Sequence, residues 1–156
     1  MIHSGQEFAR SKVIPLNIPE EDPHKGMIDH NSYEKDNETN YINYNHASLN
    51  SDLFSYYQGL IELRKKFESF RRANYSEVTF FNYKAKPFSL GYSVKHKDEE
   101  FIVLLNADLK SSFEADLPAG EWDVLVDENK AGTNSLKTVQ KKVTLNSSTG
   151  TVLKKK

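Results

Sequence analysis

The stretch that most constrains the fold is residues 50–70, NSDLFSYYQGLIELRKKFESF. Leu53, Tyr56, Leu60, Leu63 and Phe67 recur at alternating steps of three and four, so they form one apolar stripe and predict a helix over 50–70. Phe54, Tyr57 and Ile61 make a second stripe beside the first. A surface helix ordinarily buries one face, so two adjoining stripes point to burial against two different bodies. The ends agree with a helix. Asn50 or Ser51 can cap the free backbone N–H groups, and Asp52 sits at the positive end of the helix dipole. Arg64, Lys65 and Lys66 sit at the negative end. Gly59 costs about 1 kcal/mol against alanine in a helix interior, which hints at a close approach there.

Beyond this helix the hydrophobic period changes from 3.6 to 2. Residues 77–83, 89–96, 100–107, 112–117, 122–127, 139–145 and 149–153 read as strands. Turn signals recur about every eight to twelve residues, the mark of an antiparallel β-sandwich. Before the helix the chain is irregular. Residues 9–49 carry Pro15, Pro19 and Pro23 and a run rich in Asn, Asp and Tyr. A structureless loop this long is uncommon in a compact domain and is usually functional or disordered. Tyr33, Tyr41 and Tyr44 argue against disorder, because their rings need a surface to lie on. The boundary between the two parts is expected near residue 72, giving segments 1–72 and 73–156.

Composition excludes several classes of function. The chain is 37% hydrophobic and 28% charged, enough for a folded core. A formal net charge of -1 disfavours a general nucleic-acid binder. No apolar run approaches the roughly 20 residues that span a bilayer. The opening MIHSGQEFARSK lacks the apolar core of a secretory signal, so export is not read from it, and no compartment is assigned. Without cysteine, disulfides and thiolate metal sites are out.

Several polar residues invite a chemical role. Asp22, His24, Asp29 and His30 contain metal-ligand types, but their spacing matches no metal template, so no metal and no cofactor is expected. Glu7 and Asp29 are two carboxylates, yet Glu7 is better suited to ordering its own loop. His96 is expected to lie exposed in a turn. Asn37-Glu38-Thr39, Asn74-Tyr75-Ser76 and Asn146-Ser147-Ser148 match the glycosylation acceptor pattern, a short motif that carries no assignment by itself. Trp122, the one tryptophan, has two readings. Its alternation with Val124 and Val126 favours the core, while an exposed position would make it a stacking platform for a sugar.

Two segments carry a family resemblance. His3-Ser4-Gly5-Gln6-Glu7-Phe8-Ala9-Arg10-Ser11-Lys12, followed by Asp29-His30-Asn31-Ser32-Tyr33, resembles the end of the catalytic barrel in type I pullulanases. These are debranching glycoside hydrolases of the α-amylase superfamily. The pattern YYQGLIELRK at 56–65 resembles their last barrel helix, and LPAGEWDVLVD at 117–127 resembles a hairpin of their C-terminal β-sandwich. The loop departs from the family pattern at Glu34-Lys35-Asp36 and at Ile42-Asn43-Tyr44.

The resemblance implies a mostly β fold, a C-terminal antiparallel β-sandwich preceded by the last loop and helix of a (β/α)8 barrel. The barrel helix would lie between barrel and sandwich, and the long loop would sit on the barrel's substrate face. It implies α-glucan (pullulan, starch or glycogen) as substrate of the intact enzyme, with Arg10, Asn31 and Tyr33 nearest to it. The same residues would equally serve to bond the loop to the barrel. Retaining hydrolysis sets a nucleophile and an acid/base carboxylate about 5–5.5 Å apart. In the superfamily these lie on strands before the eighth, so this chain alone is expected to be inactive. Its partners would be its own missing barrel or, through the open helix face, a second copy. The alternative is a non-catalytic glucan-binding sandwich using Trp122, Tyr83 or Tyr92. A sandwich with a purely structural role is the plainest reading.

Overall fold

The structure is a computed structural model that describes residues 2–17, 24–83 and 86–156. The chain divides into two compact units, Met1–Ser55 and Tyr56–Lys156.

The first unit is mostly irregular, with short 3-10 turns at Gln6–Phe8 and Glu38–Asn40 and a short helix α1 at Asn45–Leu49. Phe8 is buried, with the rings of Tyr44 and Phe54 at 5.9 and 6.4 Å. Gly5 has φ +89°, a conformation that suits glycine, and a side chain there would collide with that of Arg10. The segments around Val13 and Ile28 pair in a single antiparallel bridge.

The second unit is built on an antiparallel sheet. Its strands are β1 (Val78–Phe80), β2 (Ser89–His96), β3 (Glu99–Asn106), β4 (Phe113–Asp116), β5 (Trp122–Val126), β6 (Lys137–Val139), β7 (Lys142–Leu145) and β8 (Thr149–Lys155). Six of them pair in the order β1-β2-β3-β8-β5-β6, and β4 and β7 pair separately. Inward residues of the large sheet, Ile102, Leu104, Trp122, Val124 and Leu153, meet Phe113, Ala115, Val143 and Leu145 of the small one. This is the alternation expected of a sandwich. The predicted strand 139–145 is in fact two strands in different sheets. Lys141 between them has φ +62°, which redirects the chain.

Helix α2 runs Ser51–Lys66, and a separate turn of helix, α3, follows at Ser69–Arg72. The predicted continuous helix breaks because Ser69 is held elsewhere. Its N–H and Oγ–H both donate to Glu99 Oε2, at 2.9 and 2.6 Å. The break lets Phe67 and Phe70 both pack on Phe101, with ring centroids 4.9 and 4.7 Å away. Leu63, Phe67, Phe101, Leu125 and Val126 form the second core cluster, with Tyr56 and Leu60 against it. Consecutive residues Leu125 and Val126 both face the helix because the register of β5 against β8 shifts there. Such a bulge turns a strand's alternation. The first predicted stripe is therefore packed from Tyr56 onward, and the division between the two compact units falls within α2, between Ser55 and Tyr56. The second stripe is open at Ile61, 46% exposed.

Burial decides between the two readings of Trp122 in favour of the core, and one expectation, that for His96, is corrected. Trp122 is fully buried, and its Nε1–H donates to Pro118 O at 3.0 Å. No face of its ring is left for a sugar. His96 is not an exposed turn residue. It ends β2 with only 12% of its side chain accessible, and Nδ1 lies 2.9 Å from Glu77 Oε1.

Candidate functional site

The residues singled out for glucan contact lie in the first unit, and one asparagine connects them. The guanidinium of Arg10 donates to the backbone carbonyls of Asn40 and Ser4. Asn40 Nδ2 donates to the carbonyls of Ser32 and Lys35, and its Oδ1 accepts from Ser32 Oγ–H at 2.9 Å. Lys12 Nζ donates to the same Ser32 Oγ at 2.8 Å. Ser32 is buried between Asn31 and Tyr33, which both point outward. Tyr33 is 90% exposed. The structure thus ties Arg10 to the loop that carries Asn31 and Tyr33, while Trp122 belongs to the core of the other unit.

Two guanidinium nitrogens of Arg10 donate to backbone carbonyls, while its buried Nε has no partner among the described residues. Asn31 and Tyr33 turn an amide and a bare ring to solvent. Asp29 supports them from behind. Its carboxylate pairs with Lys35 at 2.5 Å and accepts from the Asn31 N–H at 2.9 Å. The Lys35 hydrogen bond, then that of Asn31, holds its pKa below the ordinary carboxylate value. Glu7 Oε2 accepts the Gly5 N–H at 3.1 Å, ordering its own turn. Each of the two carboxylates is engaged within its own turn, Glu7 by the Gly5 N–H and Asp29 by Lys35 and the Asn31 N–H. Among the described residues no three acidic or imidazole side chains gather as a metal site, and Asp22 lies outside those residues. No helix among them is long and apolar enough to cross a membrane.

Asn40, Ser32 and Lys12 were not singled out in the sequence. The only hint was the Asn-rich run itself, and nothing in it marks Asn40 above its neighbours.

No family model matches the chain. Solved structures do. The pullulanase from Bacillus acidopullulyticus matches 97% of this chain at 23% identity with a TM-score of 0.74. A pullulanase from Anoxybacillus sp. LM18-11, complexed with maltotetraose, matches 99% at 23% identity and 0.75. The GBS pullulanase SAP, also in complex with maltotetraose, matches 98% at 22% identity and 0.77. The fold is that of the C-terminal portion of a pullulanase. The chain spans 18%, 21% and 25% of the length of these three pullulanases. What it shares with them is therefore architecture: a loop-rich segment, a helix and a pullulanase-type β-sandwich, in that order.

Proposed function

We propose that this chain is the C-terminal part of a debranching glycoside hydrolase of the pullulanase type. The observation that carries the reading is the match over 97–99% of this chain to a small share of much longer pullulanases. In this reading residues 1–72 are the end of the catalytic barrel and residues 73–156 the sandwich that supports it. The intact enzyme cleaves α-1,6 links of pullulan, starch or glycogen by the retaining mechanism, with its carboxylates on strands outside this chain. Asn31 and Tyr33 touch the glucan, and Arg10 keeps their loop in place. The open Ile61 side of α2 belongs against the barrel. In isolation it is a surface for self-association, since an uncovered apolar face favours contact with another.

The test is to read the coding DNA immediately upstream of Met1. An open frame carrying barrel strands with three carboxylates is the expected result. A stop codon and ribosome-binding site directly before Met1 would overturn the reading. The chain alone, incubated with pullulan, is expected to release no reducing ends.

A further inference from the structure

Register brings together two residues that lie far apart in sequence. Ser89, the first residue of β2, pairs with Asn106, the last of β3. Phe88 and Asp108, just outside that pair, therefore flank the same end of the sheet. Between them lies a cleft of about 220 Å³ lined also by Lys86, Ser111, Ser112 and Phe113. Phe113 forms its buried floor, and the Phe88 ring at its rim is 62% exposed.

Both walls are pinned. The Ala107 N–H donates to Phe88 O at 2.8 Å, and the Ser89 N–H to Lys86 O at 2.9 Å. The Ser148 N–H donates to Asp108 O at 2.9 Å. Buried Asn106 spends its Nδ2 on the carbonyls of Ser111 and Asn146 and its Oδ1 on the Asp108 N–H. Asp108 Oδ1 accepts from the N–H groups of Lys110 and Ser111, at 2.8 and 3.0 Å. These bonds, Lys110 first, hold the carboxylate's pKa below its ordinary value, with the Lys86 charge adding to the effect. An ionised carboxylate has about four acceptor positions, so these bonds leave room for a ligand hydroxyl.

A single exposed phenylalanine is ordinary. Here it stands beside an ionised carboxylate and an ammonium on a fixed backbone. Together they supply a flat apolar face, an acceptor and a donor, which is what the ring face and hydroxyls of a pyranose need. The volume equals about seven waters at ~30 Å³ each. Drug-sized ligands take pockets of roughly 300–1,000 Å³. The cleft suits one sugar ring and not a chain of them. We propose that this cleft on the sandwich is a secondary sugar site that takes one hexopyranose at the end of an α-glucan, stacked on Phe88 and bonded by Asp108 and Lys86. The choice of α-glucan rests on the function proposed above.

The experiment is an amide NMR titration of the chain with maltotetraose, repeated on Phe88→Ala and Asp108→Asn. Saturable shifts at residues 86–89 and 106–113 are expected, separate from any response at residues 31–33. Phe88→Ala, at an exposed position, keeps the fold and weakens binding about tenfold, equal to about 1.4 kcal/mol. Asp108→Asn retains the Oδ1 acceptor and also weakens binding. The proposal is overturned by the absence of shifts, by shifts centred on Tyr33 instead, or by equal binding to Phe88→Ala. Equal shifts with cellotetraose would overturn the α-glucan assignment. None of these outcomes bears on the reading frame upstream of Met1, so the site and the enzyme reading fail separately.

Discussion

The two units hold their shape by different means. In Tyr56–Lys156 two apolar clusters do most of the work, one between the sheets and one under α2 and α3. In Met1–Ser55 the buried apolar side chains among the described residues are Phe8 and Ile14, and the loop hangs on hydrogen bonds through Asn40. Apolar burial is spread over many contacts and tolerates the loss of a few. A hydrogen-bonded hub concentrates the structure on one side chain, because each carbonyl it leaves unpaired costs about 1–3 kcal/mol when buried. The sandwich is therefore a stable body, and the loop is set by a few polar groups that can be altered one at a time.

The largest expected effect is in the sandwich. Trp122→Ala removes a fully buried side chain and the Nε1 bond to Pro118, and is expected to cost about 3–5 kcal/mol. Chemical denaturation followed by circular dichroism measures it. Trp122→Phe, which keeps most of the volume, should lose much less. If Trp122→Ala leaves stability unchanged, the sandwich core is not built around this ring.

Next comes Gly59→Ala, where two effects compete. Helix propensity alone favours alanine by about 1 kcal/mol. The added Cβ, however, would lie 1.9 Å from Ala131 O, a backbone atom that cannot turn aside. Overpacking costs about 1–3 kcal/mol, so the clash wins and the urea midpoint should fall. A rise in the midpoint would mean that α2 does not approach the 131–132 turn this closely.

The same contrast explains what was legible in the sequence. Strands such as β3 and β5 declare themselves because burial on a sheet forces alternation, as in WDVLV at 122–126. The 56–67 stripe is legible for the corresponding helical reason. The split of 139–145 was not, because Gln140 and Lys141 carry no strong turn signature, although Lys141 takes up a left-handed conformation. Polar hubs are less legible still. Asn40 matters because folding delivers the carbonyls of Ser32 and Lys35 to its amide, and no local pattern encodes that delivery. Arg10, Asn31 and Tyr33 are candidates through family resemblance and not through periodicity. Phe88 and Asp108 become neighbours only through the β2–β3 register.

A third prediction tests the hub itself. Asn40→Ala strips the partners from Ser32 O and Lys35 O and should raise amide exchange over residues 31–41. The sandwich amides and its unfolding midpoint should stay unchanged. Asn40→Asp keeps one acceptor for Ser32 Oγ–H but loses the donors, so it should behave like alanine at the two carbonyls. Simultaneous loosening of the sandwich would show that the units are not held independently.

The smallest expected effect is a pH dependence confined to the loop. The Asp29 pKa is depressed below its ordinary 3.8, first by the Lys35 hydrogen bond and then by the Asn31 N–H. A depressed carboxylate stabilises the folded loop fully above the ordinary value, and the contribution is lost as pH falls from 3.8 through the lower folded pKa. Exchange protection around Asn31 and Lys35 should therefore hold from neutral pH down to about 4 and decline only below it. In Asp29→Asn the decline should vanish, since the group that titrates is gone, and protection should already be reduced at neutral pH because the Lys35 pairing is weakened. The sandwich carries its own depressed carboxylate, Glu77, held low by the Asn74 N–H and then by His96, so its residues 74–77 provide an internal comparison. Loss at Glu77 as pH falls in the Asp29→Asn protein, together with a pH-independent protection at Asn31, would separate the two titrations. If both regions lose protection together whatever stands at position 29, the acid response is global and the loop has no electrostatic latch of its own.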